Sequence, residues 1–144
     1  MTAATRVRLL ATAAALFVLL DLVWLTFVAA DLYDRLLGDL LATQPNTPAA
    51  VAFYALFLLG LAHFVIEPAA RQDSLRLAAL NGSFFGLVTY ATWDLTSLAV
   101  LAGFPWVLVP IDMSWGALLA GTVSTGTVAA HRALTRRRRR PAGP

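Results

Sequence analysis

Four long apolar stretches, separated by short polar segments, make up most of this chain. They lie at about residues 9–30, 48–67, 75–102 and 106–130. Each is close to the ~20 residues that a helix needs to cross the hydrocarbon of a bilayer. Because lipid offers no hydrogen-bond partner to the backbone, segments of this kind are expected to be helical. The pattern predicts an all-α integral membrane bundle of four transmembrane helices within residues 1–131.

The segments that border the predicted helices differ in character. The second helix is expected to begin at Pro48 and to end at Glu67 and Pro68, since proline favours the first helical turn and disfavours the interior. The longest connection, residues 31–47, mixes leucines with aspartates and an arginine. It is predicted to be a short amphipathic segment on the outer face, either a lid over the bundle or an ordinary connector.

Composition supports a membrane location, and the charges orient the bundle. Hydrophobic residues make up 59% of the chain and charged residues 13%, which is more apolar surface than a soluble domain of this size buries. There is no lysine, and the arginines concentrate before the first helix, between the second and third helices, and after the fourth. Arginine-rich flanks stay on the cytoplasmic side, so both termini are predicted to be cytoplasmic (N-in/C-in).

The last segment, residues 132–144, is predicted to be an arginine-rich cytoplasmic tail. Its run consists of Arg136, Arg137, Arg138, Arg139 and Arg140. Each arginine near an anionic leaflet gains about 1 kcal/mol, so the expected partners are membrane lipids, and anionic lipids of the cytoplasmic leaflet in particular. Nucleic-acid binding is not expected, because the rest of the chain is slightly acidic.

Three aspartates fall inside the predicted helices: Asp21, Asp94 and Asp112. A charge at the bilayer centre costs about 3 kcal/mol on insertion scales, so such residues are expected to face the bundle interior and to mark a functional site. At a rise of about 1.5 Å per residue, all three fall in the outer half of the membrane. Carboxylates crowded in a medium of low dielectric cannot all ionise. We therefore expect at least one to carry a proton, which makes the group a candidate acid–base site.

Aromatic residues accompany these aspartates at the same depth. They are Trp24, Tyr54, Tyr90, Trp93 and Trp115. Aromatic faces stabilise a developing carbocation or bind a quaternary ammonium group, while Gly82, Gly86 and Gly116 allow close helix approach. We predict a pocket open toward the outer leaflet, with the three aspartates as candidate catalytic residues and the five aromatic residues as candidate ligand contacts.

More than one function is compatible with this pocket. The first is an intramembrane enzyme that acts on a lipid or isoprenoid, with Asp94 and Asp112 as acid and base and Asp21 tuning them. The second is a ligand-binding or proton-coupled transport protein. The third is a non-catalytic accessory subunit whose aspartates only hold helices together. Assembly into a homo-oligomer is also left open.

A second polar layer lies nearer the predicted cytoplasmic end. It consists of His63, Glu67 and Asn81, and the sequence does not assign it a role. With no cysteine and two histidines, no metal site is predicted. No nucleotide-binding or haem motif is present, so no cofactor is expected.

The order of motifs resembles a known family. These motifs are Asp21-x-x-Trp24, Tyr33 with Gly38, Pro45-Asn46, Phe53-Tyr54, Phe64-Val65 before Pro68, Gly82-x-x-x-Gly86, Tyr90-x-x-x-Asp94-Leu95-Thr96 and Asp112-x-x-Trp115-Gly116. Together they are similar to an uncharacterised family of bacterial membrane proteins, the domain of unknown function 2177. Ser97 is a small departure, since asparagine is usual there. The resemblance implies four spans and a bacterial inner-membrane location, and it supplies no activity.

Overall fold

The computed structural model describes residues 1–139, and that range is helical apart from short connections. Its elements are α1 (Ala3–Trp24), a π-helical turn (Leu25–Ala29), α2 (Ala30–Leu37), a 3-10 turn (Gly38–Leu40), α3 (Thr47–Leu61), a second π-helical turn (Ala62–Ile66), α4 (Glu67–Arg71), α5 (Leu75–Val100) and α6 (Leu108–Arg139). Elements α1 and α2 form one long helical stretch, and α3 and α4 form another. With α5 and α6 this makes four long helices, so the all-α prediction is confirmed.

The first helical stretch is longer than predicted at both ends. It begins at Ala3, because the Thr2 side chain accepts a hydrogen bond from the Thr5 backbone N–H. It does not stop at residue 30: the π-helical turn leads directly into α2, which ends at Gly38 with a φ of +46°. The amphipathic segment predicted after the first helix is therefore its continuation. Its apolar face packs against the start of α6.

The second helical stretch begins where the sequence predicts and ends later. The Asn46 side chain caps α3 by accepting a 3.1 Å hydrogen bond from the Ala49 N–H. The predicted end at Pro68 is wrong, because helix continues to Arg71. A proline inside a helix lacks an N–H and crowds the carbonyl four residues earlier. The π-helical turn just before Pro68 changes this local hydrogen bonding, since the Glu67 N–H bonds to the carbonyl of Ala62.

The last two helices, α5 and α6, follow the third and fourth apolar stretches. The Ser74 side chain caps α5 through a 3.1 Å hydrogen bond from the Leu77 N–H. Helix α6 continues past residue 130 to Arg139, into the segment predicted to be a tail. The side chains of Arg137 to Arg139, and all of Arg140, lie outside the described residues.

The core and the exterior of the bundle are both apolar. A stripe of α1, namely Leu9, Ala13, Phe17 and Asp21, is buried at four-residue spacing and faces the other helices. The opposite surfaces expose large side chains such as Phe27, Leu56, Phe84 and Val100. An exterior that exposes so many large apolar side chains is typical of a surface that meets lipid.

Within the described residues, two helical stretches are long and apolar enough to cross a membrane: Ala3–Leu37 and Thr47–Arg71. Helices α5 and α6 have sufficient length, 26 and 32 residues, but carry more serine, threonine and other polar residues. The structure thus supports a membrane protein with two clearly apolar spans and two more polar helices packed beside them.

Ion pairs cluster at one end of the bundle. Glu67 forms ion pairs with Arg6, at 3.2 Å, and with Arg71, at 3.1 Å, and Asp73 forms an ion pair with Arg132 at 3.0 Å. The start of α1, the turn after α4 and the last turns of α6 therefore meet at this end. The aspartates of the predicted pocket lie toward the opposite end.

Candidate functional site

Two glycine contacts bring α5 and α6 close together. A Cβ atom on Gly82 would lie 2.7 Å from the carbonyl oxygen of Ala120. A Cβ atom on Gly86 would overlap the backbone of Gly116. The predicted close approach at these glycines is confirmed, and it follows from the absence of side chains at the contact.

This contact sets which residues of α5 and α6 face each other. The helices run antiparallel, with 82 beside 120 and 86 beside 116. One turn further along, the same register places Tyr90 opposite Asp112. The Tyr90 ring occupies the space over Gly116, where an added Cβ atom would overlap it. The glycines thus position an aromatic ring and a carboxylate at the start of α6.

Asp112 is held by a residue of α2. It is buried, 5% exposed, and its Oδ1 accepts a 2.8 Å hydrogen bond from the hydroxyl of Tyr33. Tyr33 reaches this point because α2 packs against Phe104, Leu108 and Val109.

A cavity of about 400 Å³ opens beside this hydrogen bond. It is lined by Tyr33, Phe53, Thr89, Tyr90, Trp93 and Asp112. The Thr89 hydroxyl donates to the carbonyls of Phe85 and Gly86 in its own helix. Trp93 is 62% exposed and forms the outer edge. The cavity is therefore mostly aromatic, with one carboxylate in its wall.

Asp21 belongs to a separate hydrogen-bonded pair. Its Oδ2 accepts a 2.8 Å hydrogen bond from the hydroxyl of Tyr54. Tyr54 is fixed by the edge of Phe17, whose ring centroid is 5.5 Å away. This pair ties α1 to α3, and it lies close enough to Tyr90 to interact with it electrostatically.

Asp94 is the most enclosed of the three aspartates. Its side chain has no solvent exposure, and neither carboxyl oxygen has a hydrogen-bond partner among residues 1–139. It lies near enough to Asp112 for their carboxyls to interact electrostatically. Burial of an unpartnered carboxyl is costly, and such groups concentrate at functional sites.

The indole rings of Trp24 and Trp115 stack on each other between α1 and α6. Their centroids are 4.5 Å apart and the rings are 8° from parallel. Both Nε1 atoms are buried without a hydrogen-bond partner in the described part of the chain. The stack adjoins both carboxyl–tyrosine pairs, since Trp115 lies near Asp21 and Trp24 lies near Tyr33.

The structure distributes the predicted site residues over three groups and one separate carboxyl, that of Asp94. Asp112, Tyr90 and Trp93 line the cavity. Asp21 and Tyr54 form a hydrogen-bonded pair, Trp24 and Trp115 form the stack, and Asp94 is enclosed next to Asp112. All three aspartates are buried.

Sequence reasoning missed three residues of the cavity wall: Tyr33, Phe53 and Thr89. Tyr33 carried a usable signal, since the spacing of Leu32, Tyr33, Leu36 and Leu37 is that of a buried helical face. Phe53 and Thr89 carried none beyond proximity to Tyr54 and Tyr90.

The composition of the site constrains its ligands. Within the described residues, no group of three or more His, Asp or Glu side chains is placed to hold a metal ion. The ion-paired arginines lie at the other end of the bundle. The cavity therefore offers a carboxylate, two phenols and apolar rings.

Comparison with known proteins bears on the class of the chain. No curated protein matches it, and no solved structure matches it. The model of the family described as Predicted membrane protein (DUF2177) matches residues 7–129, so the resemblance is confirmed and the chain belongs to this membrane-protein family.

Proposed function

We propose that all four long helices cross a bacterial inner membrane, with both termini in the cytoplasm. In this proposal residues 1–131 form the transmembrane domain and residues 132–144 the cytoplasmic tail. Helices α5 and α6 have 26 and 32 residues, and about 20 suffice to span the hydrocarbon. Both pack along the two apolar stretches in one bundle, which supports a shared membrane location.

The polar residues of α5 and α6 are compatible with lipid. The hydroxyls of Thr92 and Thr125 donate to backbone carbonyls four residues earlier, at 2.8 and 2.7 Å. The Ser114 hydroxyl does the same at 2.6 Å. A hydroxyl satisfied inside its own helix needs no water. Mean hydropathy therefore understates how readily these two helices enter a bilayer.

We propose that the cavity carries acid–base chemistry on a lipid or isoprenoid. The observation that supports this most is the placement of two carboxyls: Asp112 in the cavity wall, and Asp94 enclosed beside it without a partner among residues 1–139. When two carboxyl groups lie in different surroundings, one can act as the acid and the other as the base. Asp112 accepts a hydrogen bond from Tyr33 and Asp94 has no partner among residues 1–139, so we assign the role of base to Asp112 and that of acid to Asp94.

In the proposed reaction Asp112 is the group that meets the bound molecule. It takes a proton from one carbon of the lipid, and a proton returns to another carbon, so an isomerisation balances without a further reactant. Asp94 exchanges its proton through Asp112. Asp21, bonded to Tyr54, shapes the electrostatic field at Tyr90.

Lipid analysis of cells tests this proposal. Cells that express the wild type, Asp112→Asn or Asp94→Asn at equal levels are compared by mass spectrometry of total lipid extracts. Both variants are expected to lower one lipid product by at least tenfold and to accumulate its precursor. Asp34→Asn is the matched control, because it removes an exposed carboxylate near the same end. Lipid profiles identical to wild type in both variants would contradict the proposal.

A second candidate function is the binding or transport of a cationic ligand. Four aromatic residues surround Asp112: Tyr33, Phe53, Tyr90 and Trp93. Aromatic rings around a carboxylate suit a quaternary ammonium group. The test is titration of tryptophan fluorescence in neutral detergent with choline and with 3,3-dimethylbutanol, its uncharged isostere. Choline-specific quenching that Asp112→Asn removes would support this function, and equal responses to the two compounds would exclude it.

A further inference from the structure

A second pocket lies at the end of the bundle that carries the ion pairs, and the proposed chemistry does not use it. It has a volume of about 240 Å³ and is lined by Arg6, His63, Glu67, Pro68 and Arg71. Arg6 comes from the first turns of α1, and the other residues come from the π-helical turn and α4. A volume of this size is several times the ~30 Å³ of a water molecule, so it accommodates a phosphate group.

Glu67 orients both arginines of this pocket. Its side chain is only 16% exposed, and one carboxylate oxygen, Oε2, lies 3.2 Å from Nε of Arg6 and accepts a 3.1 Å hydrogen bond from Nη2 of Arg71. Each guanidinium has five N–H donors in a rigid plane. One nitrogen of each is engaged by Glu67, which leaves the remaining donors of two positioned guanidiniums for a ligand.

The charge of the pocket favours an anion. Two arginines against one glutamate leave an excess of one positive charge. Guanidinium groups recognise phosphate through paired N–H donors. Because Glu67 fixes both groups in advance, a bound phosphate would order few additional side chains.

An apolar groove adjoins the pocket. The His63 ring meets the Phe64 ring edge-on, with centroids 4.7 Å apart. Phe64 in turn lines a groove of about 380 Å³ together with Val65, Asn81, Phe84, Phe85, Val88 and Thr89. Phe64 and Phe84 are largely exposed. A cationic pocket beside an apolar groove matches a molecule that has a phosphate at one end and a hydrocarbon chain at the other.

We infer that this end of the protein binds an anionic phospholipid, with the phosphate between Arg6 and Arg71 and an acyl chain along Phe64 and Phe84. The π-helical turn supports this assignment, since such turns occur frequently at functional sites and this one carries both His63 and Phe64. The cationic pocket shares no lining residue with the Asp112 cavity, and the groove meets that cavity only at Thr89. In this inference the second polar layer, which consists of His63, Glu67 and Asn81, binds an anionic phospholipid.

Native mass spectrometry of the full chain in neutral detergent tests the site. The protein is titrated with phosphatidylglycerol and, separately, with phosphatidylcholine, and the lipid-bound fraction is measured. Phosphatidylglycerol is expected to bind at least tenfold more tightly. The variant Arg6→Gln/Arg71→Gln is expected to lose that preference. The matched control Arg8→Gln/Arg76→Gln removes two exposed arginines at the same end and is expected to keep it within twofold.

The other possible outcomes of these titrations also test the inferred lipid site. Equal binding of the two lipids, or equal losses in both double variants, would overturn the inference. Displacement of phosphatidylglycerol by millimolar inorganic phosphate would show a free-phosphate site and overturn the lipid assignment. If the double variant does not fold, Arg71→Gln alone carries the test, because more than half of that side chain is exposed. It is expected to reduce the preference at least threefold.

Discussion

The hydroxyl of Tyr33 donates a 2.8 Å hydrogen bond to Oδ1 of Asp112, across 79 positions of the chain. This bond joins α2 to the start of α6 and forms one wall of the aromatic cavity. It connects the segment after the first helix with the carboxylate that we propose meets the lipid. The integrity of the site therefore depends on Tyr33, a residue outside the four apolar stretches that the sequence predicts.

Removal of the Tyr33 hydroxyl is predicted to destabilise the bundle. Tyr33→Phe leaves a buried carboxylate without its donor, and interhelical hydrogen bonds in membrane proteins contribute about 0.5–1.5 kcal/mol. A loss of that size is expected in unfolding titrations in mixed micelles. Tyr90→Phe is the control, because the Tyr90 hydroxyl makes no hydrogen bond within residues 1–139, so a change within about 0.5 kcal/mol is expected. Equal losses in the two variants would contradict the assigned bond.

Much of the bundle could be predicted from the sequence, and the Tyr33 contact shows where prediction ended. Burial of Asp21, Asp94 and Asp112 followed from the cost of exposing a charge to lipid. The continuation of α1 into α2 did not, because the aspartates after residue 30 resemble an ordinary polar loop. A π-helical turn also leaves no clear mark in a hydrophobic pattern, and it changes which later residues face the bundle.

The depth of a residue in the membrane can be predicted from the sequence more readily than the direction in which its side chain points around the helix axis. Asp94 and Asp112 were correctly expected to be buried, yet only Asp112 reaches the cavity. The difference depends on the antiparallel register that Gly86 and Gly116 impose. Sequence alone suggested that these glycines allow contact, but not which residues they would pair.

The Gly116 contact is predicted to tolerate no added methyl group. In Gly116→Ala the new Cβ atom would overlap the Tyr90 ring, and overpacking of this kind typically costs about 1–3 kcal/mol. A lower thermal midpoint in detergent is expected. Gly126→Ala is the control on the same helix, since its new Cβ atom meets only the flexible end of Leu16 at 3.0 Å. Unchanged stability of Gly116→Ala would show that α5 and α6 are less closely packed than described.

The stacked tryptophans are predicted to be energetically coupled. Aromatic pairs contribute about 0.5–1.5 kcal/mol beyond their buried area, and the 4.5 Å stack of Trp24 on Trp115 is close to parallel. A double-mutant cycle with Trp24→Leu and Trp115→Leu is expected to give a coupling energy in that range. The same cycle on the exposed Trp93 and Trp106 is expected to give none. Absence of coupling in the first cycle would mean that the two rings do not stack in the membrane.

The proposed orientation predicts which connections are reached from each side of the membrane. Because the chain contains no cysteine, single cysteines can be introduced without background. Gln44 precedes α3 and Gln72 follows α4, and both are exposed in the structure. With both termini cytoplasmic, a membrane-impermeant maleimide is expected to label Gln44→Cys in intact cells. It is expected to label Gln72→Cys only after permeabilisation, since this residue lies at the arginine-rich end that anionic lipids retain on the cytoplasmic side. The reverse pattern would invert the bundle and move the Asp112 cavity to the inner leaflet, whereas labelling of both positions in intact cells would mean that Thr47–Arg71 does not span the membrane.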